Sequence, residues 1–95
     1  MIVCLGTYTR SLTEADGDTI ARHRSYLDDL YKQGLLIASG PRQPRIGGLI
    51  IARGNDEEAV HALLDNDPFV VAGIADYELI PFEPSKAAHP DMVEN

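Results

Sequence analysis

Two runs of consecutive apolar residues, Leu35-Leu36-Ile37 and Leu49-Ile50-Ile51, constrain the fold of this chain more than any other feature. A strand with one face in water alternates apolar and polar side chains, whereas a strand covered on both faces carries apolar residues at successive positions. Between the runs stands Pro41-Arg42-Gln43-Pro44-Arg45-Ile46-Gly47, whose two prolines and glycine interrupt pairing and turn the chain. The pattern predicts strands at 35–40 and 48–53 joined by a hairpin loop, both in need of cover on two sides.

The flanking segments alternate between strand and helix. Residues 2–8, Ile-Val-Cys-Leu-Gly-Thr-Tyr, suit a strand. A polar stretch at 11–18 follows as a loop, with Thr13 or Asp18 as candidate N-cap. Over 19–33, Ile20, His23, Leu27, Leu30 and Tyr31 recur at spacings of three and four, which predicts a helix with one buried stripe. Gly34 stands where a left-handed residue ends it. Asn55 or Asp56 is placed to cap a second helix over 57–65, whose acidic first turn suits the helix dipole. Asp67-Pro68 pairs a favoured N-cap with a favoured first helical residue, so 69–72 reads as a short helical turn closed by Gly73. The stretch 75–82 is the last strand.

The order β-α-β-β-α-β is the split, ferredoxin-like pattern of an α+β fold. It predicts one antiparallel four-stranded sheet with both helices on one face. Ninety-five residues make one domain. Residues 1–83 are read as that domain and 84–95 as an exposed tail laid across a partner. A single chain has helices for only one sheet face, so the doubled apolar runs predict a homodimer packed sheet to sheet, which also helps to form a ligand cleft.

Charge and cysteine usage narrow the function classes. A net charge of −7, from 15 acidic and 8 basic residues, argues against nucleic acid and against anionic membrane surfaces, since both need clustered Lys and Arg. Cys4 is the single cysteine, so an internal disulfide is excluded and a reducing, cytoplasmic setting is expected. The apolar start at residues 1–5 is too short for a signal peptide or membrane span. His23, His61 and His89 lack metal-ligand spacing, and no metal is expected. Gly47-Gly48 lacks the spacing of a phosphate loop.

The chemistry lies with His23 and Asp67. An imidazole titrates near neutrality, and a nearby carboxylate fixes its tautomer and supports its charged form. Each residue also has a structural reading: His23 as a helix histidine satisfied by backbone or water, Asp67 as a helix cap alone. Ser39 and Gly40, with Pro41, end the second strand where a hydroxyl and close backbone suit a carbonyl or carboxylate, or where a strand simply enters a proline loop. Tyr8, like Tyr26, Tyr31 and Tyr77, reads as a core or interface residue with its hydroxyl at the edge, or, since it ends the first strand, as one that reaches the cleft. Arg42 and Arg45 are candidate docking cations for an anionic ligand, or solvated loop residues.

The chain resembles the YCII-related family in His23-Arg24-Ser25-Tyr26-Leu27, Ser39-Gly40-Pro41, Gly47-Gly48, Asp67-Pro68-Phe69 with Ala72-Gly73, and 77–82. The resemblance implies a ferredoxin-like fold that dimerises as dimeric α/β barrels do. It also implies an enzyme that uses His23 and Asp67 as a His-Asp dyad without metal or organic cofactor, elimination from a lactone-type ring being one associated activity. Arg24 departs from the family, many of whose members carry an apolar residue after the histidine.

The leading functional expectation is a small cofactor-independent lyase or isomerase acting on a small organic acid or lactone, with catalytic His23 and Asp67. Ser39, Gly40, Pro41, Arg42 and Tyr8 are the expected substrate contacts. The alternative is a non-catalytic small-molecule-binding or accessory module using the same cleft. A heme or oxygen-dependent monooxygenase ranks below both, because no second histidine accompanies His23 on its helix face.

Overall fold

The computed structural model describes residues 1–92. Along the chain run β1 (Ile2–Tyr8), a 3-10 turn (Glu14–Asp16), α1 (Gly17–Lys32), β2 (Leu36–Pro41), β3 (Gly48–Ala52), α2 (Glu57–Leu64), α3 (Pro68–Val71), β4 (Ala75–Pro81) and a second 3-10 turn (Pro90–Met92). The strands pair antiparallel in the order β2-β3-β1-β4, and the helices pack on one side, which is the expected ferredoxin-like arrangement.

Local chemistry sets the element ends. Asp56 caps α2 by accepting from the Ala59 N–H at 3.1 Å. α1 starts at Gly17 rather than 19, because the 3-10 turn runs straight into it. Asp16 closes that turn: its carboxylate accepts from the Thr13 N–H at 2.8 Å and holds the Arg10 guanidinium through two bonds of 2.8 Å. Thr13 therefore begins the 3-10 turn, and Asp18 lies inside the first turn of α1. Gly34 follows α1 with φ of 74°, the left-handed conformation that glycine adopts without a Cβ penalty.

The helix-facing side of the sheet is the core. Ile2 and Cys4 of β1, Ile50 and Ala52 of β3 and Leu36 of β2 pack with Leu30 of α1 and with Val60 and Leu64 of α2. A second cluster of Phe69, Ile74 and Ala75, joined by Tyr8, Leu12 and Ile20, ties α3 to the first half of α1. The opposite sheet face carries cross-strand rows Ile51–Val3–Ile80 and Leu49–Leu5–Glu78. The doubled apolar positions in β3 thus divide between core and open face, and Ile80 is 46 % exposed.

One irregularity in β2 matters for the site. Leu36 pairs with Ala52 but Ala38 pairs with Ile51, so Ile37 is the extra residue of a bulge. Plain alternation from Leu36 would put Ser39 on the open face; the bulge instead places it opposite Ile50, in the helix-facing row with Cys4 and Leu79. Beyond β4, Phe82 exchanges hydrogen bonds with Met1, Pro84 is buried, and Asp91 lies 3.8 Å from Arg53. Residues 85–91 are exposed, and the last three residues of the expected tail lie outside the described residues.

Candidate active site

His23 projects from the first half of α1, and Asp67 stands at the join between α2 and α3. The His23 ring stacks on Phe69 with centroids 4.1 Å apart and planes inclined by 12°. Its Nδ1 lies 2.8 Å from Asp67 Oδ1. The same Oδ1 accepts from the Phe69 N–H at 2.9 Å, so the N-cap of α3 and the histidine share one oxygen. Oδ2 accepts from the Tyr77 hydroxyl at 2.7 Å. Asp67 is fully buried, yet three donors converge on it, which is the arrangement that offsets the cost of burying a carboxylate.

This geometry fixes the tautomer of the neutral imidazole. A carboxylate offers only acceptors, so Nδ1 carries the hydrogen, and in the neutral ring the lone pair is on Nε2. Every buried side-chain nitrogen or oxygen among the described residues has a partner, and Nε2 has none, so Nε2 is open to the cleft. The His23 side chain as a whole is only 16 % exposed. Burial and the neighbouring Asp67 charge push the Tyr77 phenol well above its ordinary range, which keeps its hydroxyl a donor. Tyr26, raised chiefly by burial and then by Asp67, donates to the Leu63 carbonyl and bridges α1 to α2.

Tyr77 reaches Asp67 because of a glycine. It pairs across the sheet with Gly6, and a Cβ at Gly6 would lie 2.9 Å from Tyr77 Cε1. The missing side chain leaves room for the phenol ring to lie over β1. Gly47 plays a comparable part at the hairpin, where a Cβ would come within 1.9 Å of the Gly6 carbonyl oxygen.

The cleft in front of His23 has a volume of about 480 Å³. Tyr8, Ser39, Gly40 and Pro41 line it, as do Arg24 and Arg45. Tyr8 meets Phe69 edge to face at 6.0 Å, and the Ser39 and Tyr31 hydroxyls are 2.7 Å apart. Arg42 is placed elsewhere: its guanidinium donates to Thr7 Oγ1 at 2.9 Å and to the Gly6 carbonyl at 3.3 Å, holding the hairpin to β1. Phe69 and Tyr77 are not among the expected site residues, yet both touch the His23–Asp67 pair and line the cleft. The only advance signal for Tyr77 was an isolated glycine inside a strand. His61 forms an exposed pair with Asp65 at 3.4 Å, His89 is exposed, and no cluster of metal-ligating side chains occurs among the described residues.

Fold and site together define a ferredoxin-like α+β domain in which a buried carboxylate stands behind a cleft histidine. The chain belongs to the YCII-related domain family, whose model matches residues 1–83. Among solved structures it is similar to 5-chloro-2-hydroxyhydroquinone dehydrochlorinase (TftG) from Burkholderia phenoliruptrix AC1100, in complex with 2,5-dihydroxybenzoquinone. The TM-score is 0.68 at 21 % sequence identity, covering 87 % of this chain and 94 % of that one. No curated protein sequence matches the chain significantly. No helix among the described residues is long and apolar enough to cross a membrane.

Proposed function

We propose that this protein is a small enzyme that moves a proton on a small organic substrate, with His23 Nε2 as general base and acid and Asp67 as its orienting partner. The observation that carries this reading is the 2.8 Å contact between His23 Nδ1 and a buried Asp67 that also holds the Phe69 N–H and the Tyr77 hydroxyl. A carboxylate fixed by three donors does not swing away, so the imidazole keeps one tautomer and one orientation.

In an elimination, Nε2 takes a proton from the carbon beside a carbonyl. The C–H electron pair becomes the new double bond, and the leaving group departs with its bonding pair. The imidazolium formed is stabilised by Asp67 and returns its proton to the product side or to water. Ser39, brought to the cleft wall by the β2 bulge, is placed to donate to the carbonyl oxygen as negative charge develops there. Neither step calls for a metal or organic cofactor. The similar dehydrochlorinase bears a name that describes an elimination, which favours this reaction over isomerisation. The uncovered rows Ile51–Val3–Ile80 and Leu49–Leu5–Glu78 support a homodimer packed sheet to sheet, in which Val3→Glu would shift the sedimentation coefficient to that of a monomer.

The test is turnover across a panel of small lactones and halogenated hydroquinones. Turnover by the wild type that falls by about 10²-fold or more in His23→Ala, with unchanged circular dichroism, supports the reading. Compounds that bind without ever being turned over would instead make the cleft a binding module.

A further inference from the structure

The cleft in front of His23 has the opposite charge character from the rest of the molecule. The chain carries a net charge of −7, yet among the described residues no aspartate or glutamate lines the cleft, while Arg24 and Arg45 do. The other arginines show how unusual this is. Arg10 is held by Asp16, Arg53 faces Asp91, and Arg42 is engaged by Gly6 and Thr7. Neither Arg24 nor Arg45 has a hydrogen-bond or ion-pair partner among the described residues; Arg22 is also unpaired but lies outside the cleft. The inner walls are apolar and aromatic: Tyr8, Leu12, Ile20 and Leu27 line the cleft together with Phe69, on which the His23 ring stacks.

From this arrangement we infer that the cleft selects a small ring compound bearing a carboxylate or an equivalent acidic oxygen, docked by Arg24 and Arg45 while its ring lies against the aromatic wall before Nε2. Two unpaired guanidiniums beside an apolar floor suit such a ligand in both parts: the planar cations match an acidic group, and the Phe69 and Tyr8 rings match a flat, uncharged body. Because Arg24 immediately follows His23 on α1 and Arg45 comes from the hairpin, the charged group is held from two sides of the opening. The substrate's acidic group is thereby kept at the mouth and its ring carbons inside. This assignment names the substrate class for the proton-transfer site and rests on that reading for its chemistry, but not for its binding.

The experiment compares benzoate with benzamide, which share a ring and nearly a shape but differ in charge. Binding is followed by amide chemical-shift titration of the wild type, the Arg24→Gln/Arg45→Gln double variant, Arg22→Gln as a charge-matched control on the same helix, and His23→Ala. The wild type should bind benzoate about tenfold more tightly than benzamide, which is ~1.4 kcal/mol. The preference should fall to about twofold or less in the double variant, survive in Arg22→Gln and His23→Ala, and shrink with added salt. Benzoate binding no tighter than benzamide binding, including no detectable binding of either, overturns the proposal. So does a preference that persists in the double variant, or one lost in His23→Ala alone, which would assign the anion to the imidazole. The turnover assay on His23→Ala tests the proton-transfer reading separately, so either can fail while the other stands.

Discussion

Replacing Asp67 separates a residue that only caps a helix from one that organises a site. A cap lost to alanine costs about 1 kcal/mol. Asp67→Ala also strips the acceptor from the Tyr77 hydroxyl at 2.7 Å and from His23 Nδ1 at 2.8 Å, in a place that is fully buried. A buried donor left unsatisfied costs about 1–3 kcal/mol. The His23 ring, 16 % exposed, recovers part of its loss from water, and Tyr77 recovers less. Losing the carboxylate also removes its own desolvation cost, so the net expectation is about 3 kcal/mol rather than the full sum. For a domain of this size, that lowers Tm by about 12–24 °C. Asp67→Asn keeps an oxygen for the Phe69 N–H and should cost about 1–1.5 kcal/mol while still abolishing turnover. The measurement is urea unfolding followed by far-UV circular dichroism, with the m-value checked for constancy. A loss near 1 kcal/mol in Asp67→Ala would mean that the cap is the whole contribution, and the His23–Asp67–Tyr77 array would be refuted as an energetic unit. A His23→Ala/Asp67→Ala double-mutant cycle then measures the pairwise part directly.

Three further outcomes follow from the same geometry. Tyr77→Phe removes one hydrogen bond to the Asp67 carboxylate and should cost about 1.5–3 kcal/mol in thermal or urea unfolding, with turnover reduced rather than lost. Gly6→Ala places a methyl group 2.9 Å from Tyr77 Cε1 and 3.0 Å from the Gly48 carbonyl oxygen, a clash worth about 1–3 kcal/mol that should lower both Tm and activity by displacing Tyr77. Burial pushes the Cys4 thiol from 9.0 up to about 11. The unfolded chain therefore releases this proton first, the folded state binds more protons from about pH 9 upward, and stability is full below that pH and lost as pH rises towards 11. The expected slope is at most about 1.4 kcal/mol per pH unit, read between roughly pH 9 and 10 before the tyrosines ionise, and Cys4→Ala should flatten it; an unchanged slope would refute this origin.

Several features of the site are local enough to be written in the sequence. The three- and four-residue recurrence through Ile20, His23 and Leu27 puts the histidine on the buried stripe of its helix, because helical geometry is periodic whatever surrounds it. Asp67-Pro68 announces a capped turn from the chemistry of two adjacent residues, and the element order yields the ferredoxin-like sheet. The motifs that resemble the YCII-related family pointed to the family whose model matches residues 1–83.

The remaining features depend on register and on contacts between distant segments. His23 and Asp67 are 44 residues apart, and their 2.8 Å contact needs α3 to dock against α1. The bulge at Ile37 reverses the face of Ser39, and nothing in a run of apolar residues marks where a strand gains one residue over its partner. Tyr77 meets Asp67 because Gly6 happens to lie opposite it in the β1–β4 register, a pairing that periodicity alone does not specify. Arg42 and Arg45 are three residues apart in one loop with the same charge, yet one is held by Gly6 and Thr7 near the end of β1 and the other is left at the cleft. Sequence sets what each segment can become, since propensity, capping and periodicity act over a few residues. Which side chains meet is set by how the sheet and helices pack, and here that packing turned two suggestive residues into a three-donor carboxylate behind an open imidazole nitrogen.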